Sequence, residues 1–200
     1  MITAQDIPVS GEFKIPIGSI VTPSAREVAA ARGVALRELP EEELSAIAPP
    51  EKTIALGADH GGYRLKEALK PLLHSEGLEV RDVGVYDETA ADYPDISHAV
   101  AQLVSGGKAT RGVIIDGAGI GSAMVANKVP GVRAALCYDQ ASARNSREHN
   151  DSNVLTLGAR LLTGSQAEEV LRVWLGTRFA GGRHQARVDK IAAVERKYLR

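Results

Sequence analysis

Two short stretches carry acids and glycines at a spacing that suits proton transfer and anion binding. Asp59-His60-Gly61-Gly62 sets a carboxylate beside an imidazole, and its two glycines let a ligand approach the backbone. The bland alternative is a turn in which Asp59 caps the next helix. Asp116-Gly117-Ala118-Gly119-Ile120-Gly121-Ser122 sets a second carboxylate ahead of three glycines. Such a loop frees backbone N–H groups to face an anion, and a helix N-terminus behind it adds a favourable dipole. The alternative is a tight turn that packs a helix on a sheet. In Arg147-Glu148-His149-Asn150-Asp151, His149 could move a proton near neutral pH, or the cluster could simply end a helix with a cation. In Gly181-Gly182-Arg183-His184-Gln185-Ala186-Arg187, the two arginines are four apart. On a helix they point the same way and could fork onto one phosphate, or form a solvated basic face.

The elements around these residues follow an alternating pattern. Short β-branched runs at Thr53–Ala58, Glu79–Val85, Gly112–Ile115, Val132–Cys137 and Asn153–Leu157 are read as strands. Between them lie apolar stripes at helical spacing: Leu65, Ala68, Leu69, Leu72 and Leu73; Ile96, Val100, Leu103 and Val104; Ala167, Val170, Leu171, Val173 and Trp174. Strand–helix alternation predicts an α/β fold: a doubly wound, Rossmann-like, five-stranded parallel sheet with helices on both faces. Ligands in such sheets bind beyond the carboxyl ends of the strands, where Asp59 and Asp116 stand.

Residues 1–50 read differently. Pro8, Pro16, Pro23, Pro40, Pro49 and Pro50 punctuate them. One short helix is expected, with Thr22 as N-cap, Pro23 at the first helical position and Gly33 as the stop. Glu41–Glu43 and Pro49-Pro50 read as a linker, and so short a segment buries little alone. The division expected is an N-terminal extension, 1–50, and one α/β domain, 51–200.

Composition narrows the partners. Of 200 residues, 44% are apolar, enough for a sizeable core, and the net charge is −1, so no basic face advertises nucleic acid or a membrane surface. No apolar run approaches the roughly 20 residues of a membrane span. Cys137 is the only cysteine. An internal disulfide is therefore impossible, and a reducing, cytoplasmic compartment is the expectation. Gly117-x-Gly119 with Asp139 downstream suggests dinucleotide binding. Against it, Ser122 stands where a third glycine is needed and the loop follows the third strand, not the first.

Taken together, the loops resemble the type B ribose-5-phosphate isomerase family, which includes the subunits of galactose-6-phosphate isomerase. The likeness covers residues 52–199. It is carried by Asp59–Gly62, Asp92-Tyr93-Pro94, the Gly117–Gly121 loop with Ala126-Asn127-Lys128, Arg147–Asn153 and Gly181–Val188. The resemblance implies an aldose–ketose isomerase, with ribose 5-phosphate and ribulose 5-phosphate as the expected pair. Asp59 and His149 would open the sugar ring, and Tyr93 would line the sugar pocket. Backbone amides from Gly117 through Gly119 and Gly121 to Ser122 would hold the enediolate oxygen. His60, Arg183 and Arg187 would hold the phosphate. The site would lie across a homodimer, with His149, Asn150, Arg183 and Arg187 supplied by the partner chain. No cofactor or metal is implied, and the sequence shows no Cys/His/carboxylate cluster that suggests one. Such an isomerase needs a base between C2 and C1, donors where negative charge develops, and a remote phosphate anchor.

The chain departs from that pattern at one place. Many members carry a catalytic cysteine where this chain has Asp116, others a glutamate where it has Ser122, and Ala118 replaces the usual Thr or Ser. Two readings stay open. Asp116 is itself the base, as a carboxylate can be where burial raises its basicity. Or the chain is a non-catalytic or altered-substrate subunit that binds a sugar phosphate. The segment Ile15–Glu27 resembles N-terminal segments of bacterial microcompartment enzymes, and more faintly the subunit-binding modules of 2-oxoacid dehydrogenase complexes. Both resemblances imply a docking role for residues 1–50, toward a microcompartment shell or cargo partner. The alternative is a loose extension or extra packing on the dimer.

Overall fold

The computed structural model describes residues 2–4, 6–8, 11–40 and 53–198. The chain divides into two compact units, Met1–Pro49 and Pro50–Arg200. The expected linker at 41–43 and 49–50 lies outside the described residues.

The first unit is a small β–α–β arrangement. Strand β1 (Glu12–Pro16) pairs in parallel with β2 (Ala35–Leu39), and helix α1 (Pro23–Arg32) connects them. The helix has the ends read from sequence: Thr22 Oγ1 accepts from the Ala25 amide at 3.2 Å, Pro23 opens it, and Gly33 closes it in the left-handed conformation. The two strands are an addition to that reading. With the helix they bury Ile7, Ile15, Val21, Ala25, Ala29 and Val34. The segment therefore has a core of its own, though a small one.

The second unit is a five-stranded sheet, all parallel, in the order β4-β3-β5-β7-β6. The strands are β3 (Thr53–Ala58), β4 (Glu79–Asp82), β5 (Arg111–Asp116), β6 (Ala134–Leu136) and β7 (Val154–Gly158). The helices are α2 (Tyr63–Ser75), α3 (Tyr93–Ser105), α4 (Ile120–Ala126), α5 (Gln140–Glu148), α6 (Gly164–Gly176) and α7 (Gln185–Tyr198), with a 3-10 turn at Gly182–His184.

Successive strand residues face opposite sides of a sheet, so a strand buried on both faces feeds two cores. In β3, Ile54, Leu56 and Ala58 join the layer with Leu65, Leu69, Leu72 and Leu73 of α2 and Val170, Leu171 and Trp174 of α6. Ala55 joins the other layer, with Val100, Ala101 and Val104 of α3 and Ala126 of α4. The apolar stripes read from sequence are these helix faces, except that Ala68 is exposed and Ile96, Leu103 and Val173 are half-buried.

Two strands are shorter than expected. The run to Val85 leaves regular pairing after Asp82, although Val83 and Val85 still donate to Leu56 and Ala58. A buried ion pair marks the place where pairing stops. Lys66 is wholly buried on α2, and its ammonium donates to both Asp82 oxygens and to the Val85 carbonyl. Burial pushes the Asp82 carboxyl pKa up, but hydrogen bonds from Lys66 and Lys70 outweigh it and hold it below its ordinary value. This pair pins the start of the loop that leads to Tyr93. The run Val132–Cys137 narrows to β6, which is the other edge of the sheet.

No helix among the described residues is long and apolar enough to cross a membrane.

Candidate active site

Strands β3 and β5 are neighbours, so the loops at their carboxyl ends share one crevice. The Asp59 amide donates to the Ile115 carbonyl at 3.2 Å, which sets Asp59 beside the end of β5. Close packing of the two loops rests on Gly62: a Cβ there would lie 2.2 Å from the Ile115 carbonyl oxygen. Asp59 is buried, and its Oδ1 accepts from the Gly62 amide at 2.9 Å. Its Oδ2 accepts no hydrogen bond among the described residues. His60 is exposed, and its Nδ1 lies 3.3 Å from the Ala91 amide nitrogen. That contact ties the first loop to the segment before α3.

The second loop curls back on its own aspartate. Asp116 Oδ1 accepts from the Ala118 amide at 2.7 Å and from the Gly119 amide. Its Oδ2 accepts from the Ser122 amide at 3.1 Å and from the Ser122 hydroxyl. A carboxylate offers about four lone-pair sites, and here four donors fill them. The turn depends on Gly119, which has φ +77° and whose Cβ would lie 2.5 Å from Leu136 Cδ1. The resemblance assigns the amides from Gly117 to Ser122 to an oxyanion. In the structure Asp116 accepts from those of Ala118, Gly119 and Ser122. The amides of Gly117, Ile120 and Gly121 have no hydrogen-bond partner among the described residues. They are the donors free to face developing negative charge.

Side chains from three other elements reach this loop. Tyr93, the first residue of α3, lies over Gly121: a Cβ at Gly121 would meet its ring at 2.5 Å. Tyr138, just after β6, donates from its hydroxyl to the Ala118 carbonyl at 3.3 Å. Arg160, two residues past β7, is exposed, and its Nε would be 3.5 Å from a Cβ at Gly117. Sequence reasoning missed Arg160 and Tyr138. The signal was position, since both follow the carboxyl end of a strand.

His149, Asn150, Arg183 and Arg187 form a second group. His149 caps the C-terminus of α5, and exposed Asn150 follows it. Arg183 lies in the 3-10 turn and Arg187 on α7, both exposed. The two motifs meet: the Ala180 amide donates to the Glu148 carbonyl at 3.0 Å, and the rings of His149 and His184 stack. Among the described residues no hydrogen bond links this group to Asp59 or to the Asp116 loop. The candidate site residues thus form two hydrogen-bonded groups.

Cys137 is the one cysteine of the sequence. It is buried, its Sγ faces Ser146 Oγ at 3.9 Å, and burial pushes its pKa up, away from the reactive thiolate. Among the described residues no group of three or more His, Cys, Asp or Glu side chains could hold a metal ion.

Comparison with known proteins places the α/β unit in a family. The family model described as Ribose/Galactose Isomerase matches residues 54–191. Ribose-5-phosphate isomerase B of Escherichia coli is 42% identical over 146 residues, 73% of this chain and 98% of that protein. D-erythrulose-4-phosphate isomerase of Pectobacterium atrosepticum is 40% identical over 145 residues, 72% of this chain and 95% of that protein. The solved structure of ribose-5-phosphate isomerase B from Clostridium thermocellum superposes with a TM-score of 0.72 at 46% identity, covering 74% of this chain and 99% of that one. With most of its α/β unit matched by the family model and aligned to relatives at this identity, the chain belongs to the ribose/galactose isomerase family.

Proposed function

We propose that the chain is a sugar-phosphate aldose–ketose isomerase and that its substrate pair is ribose 5-phosphate and ribulose 5-phosphate. The observation that carries this reading is the crevice between β3 and β5, where two carboxylates meet a glycine loop with three free amides. Aldose–ketose isomerisation moves a proton between C2 and C1 through an enediolate. It needs a base at the carbons and fixed donors at the oxygen, and Gly117, Ile120 and Gly121 offer such donors. Tyr93 lines the sugar pocket. His60, Arg183 and Arg187 hold the phosphate, and Arg160 joins them from beside Gly117. Asp59 and His149 open the ring. That no hydrogen bond among the described residues links the two groups is in keeping with a homodimer in which His149, Asn150, Arg183 and Arg187 complete the partner's crevice.

Two assignments of the C2 base are open to test. In the first, Asp116 is the base, and Ser122 must release its hydroxyl hydrogen bond to free Oδ2. The four donors on Asp116 favour the second, in which Asp116 shapes the loop and Asp59, through its free Oδ2, moves the proton. The N-terminal β–α–β unit is read as a docking module, in keeping with a cytoplasmic enzyme delivered to a microcompartment lumen. Residues 1–50 fused to a fluorescent protein test that reading: diffuse signal in cells with assembled shells refutes it.

The substrate is tested by a coupled assay of the purified full chain against ribose 5-phosphate, D-erythrulose 4-phosphate, allose 6-phosphate and galactose 6-phosphate. Preferred turnover of ribose 5-phosphate is expected. Preference for another sugar reassigns the substrate, and binding of several without turnover of any leaves a sugar-phosphate-binding subunit.

A further inference from the structure

Two histidines meet where α5 and the 3-10 turn come together. The rings of His149 and His184 lie 4.2 Å apart and 3° from parallel. Their surroundings differ. His149 is half-buried, and its Nδ1 lies 2.9 Å from Asn145 Nδ2, one helical turn earlier. With that amide donating, neutral His149 carries its proton on Nε2. His184 is buried, and its Nε2 accepts from Arg183 Nε at 3.3 Å. Its own proton then sits on Nδ1, which is buried without a partner among the described residues. Burial pushes the His184 pKa down; the guanidiniums of Arg183 and Arg187, and His149 when protonated, push the same way, and Glu148 opposes them. His184 is a neutral ring between a proton-moving imidazole and an arginine.

From this geometry we infer that His184 is a positioning residue: its ring face fixes the plane of His149, and its Nε2 fixes the guanidinium of Arg183. The inference rests on the isomerase reading for its purpose, but not for its geometry. A flat neighbour at 4.2 Å resists rotation of the His149 ring, while Asn145 selects its tautomer. Binding Nε–H of Arg183 to His184 leaves the two terminal amino groups of that guanidinium for the fork that suits a phosphate. An unpaired buried Nδ1 is unfavourable by itself. An apolar side chain would avoid that cost and would not hold Arg183.

The test uses the full chain and two variants. His184→Ala removes both contacts, and His184→Phe keeps a flat ring but removes the acceptor. With ribose 5-phosphate, His184→Ala is expected to lose about 10- to 100-fold in kcat, whereas His184→Phe stays within about threefold. Both variants should raise KM and weaken binding of inorganic phosphate. Imidazole 15N–1H correlation spectra should show His149 as one tautomer in the parent and in His184→Phe, and as a mixture in His184→Ala. An unchanged His149 tautomer in His184→Ala, or unchanged phosphate affinity in both variants, overturns the inference. If circular dichroism shows that His184→Ala does not fold, phosphate affinity of His184→Phe decides. A parent that turns over no sugar phosphate refutes the isomerase reading instead, and the spectra and phosphate titration still judge His184.

Discussion

The loops after β3 and β5 begin alike and finish differently. Each opens with an aspartate at a strand's carboxyl end and continues through glycines. Asp59 accepts one hydrogen bond, and its second oxygen is free among the described residues. Asp116 accepts four, from residues two, three and six positions ahead of it. The strands are adjacent and the residue type is the same, so the difference comes from the loop. Gly119 in the left-handed conformation turns the chain back so that amides face the carboxylate that precedes them. A side chain at a favoured place in a fold is a free reagent only when its neighbours have not already bound it.

The two aspartates should therefore fail in different ways. The largest effect is expected at Asp59. Asp59→Asn can still offer an amide oxygen to Gly62, so the fold should hold, while kcat falls by about 100-fold or more, the lower end of general acid–base contributions. Steady-state kinetics with a thermal melt on the same sample checks both halves. Asp116→Asn puts an amide NH2 among four donors. Stability should drop by about 1–3 kcal/mol, the cost of leaving buried groups unpaired, as read by urea denaturation. Its lost turnover would not by itself make Asp116 the base. Asp116→Cys beside Asp116→Asn separates the roles: turnover lost in the asparagine variant and restored in the cysteine variant, at equal loss of stability, would assign the base to position 116.

Two smaller changes sharpen the contrast. Gly121→Ala would drive a methyl into the Tyr93 ring, so KM should rise about tenfold, equal to about 1.4 kcal/mol of binding, with kcat less affected. Ser122→Ala leaves Asp116 the Ser122 amide and removes the hydroxyl. It should cost about 1 kcal/mol, and turnover should stay within about threefold if Asp116 only shapes the loop.

The sequence made the strand–helix alternation readable because β3, β5 and β7 are buried on both faces and their flanking helices carry clean apolar stripes. It made α1 readable through Thr22, Pro23 and Gly33. It did not reveal β1 and β2, since Glu12–Pro16 and Ala35–Leu39 are five residues each and bury few side chains. The site was half legible. Motif spacing picked out both aspartates and the glycine loop, but not the hydrogen bonds that close the loop on Asp116. Arg160 was hidden because a lone arginine after a strand has no pattern. The stack of His149 on His184 was hidden for another reason. It joins residues 35 positions apart, and no local spacing encodes it.

The central claim is that this crevice moves a proton between C2 and C1 of a phosphorylated sugar. Incubation of the full chain with ribose 5-phosphate in deuterium oxide, followed by proton and carbon NMR, tests it most directly. The account predicts ribulose 5-phosphate carrying solvent deuterium at C1, formed by the parent and slowed by about 100-fold or more in Asp59→Asn. No ketose from the parent, or ketose formed at the same rate in Asp59→Asn as in the parent, would contradict it.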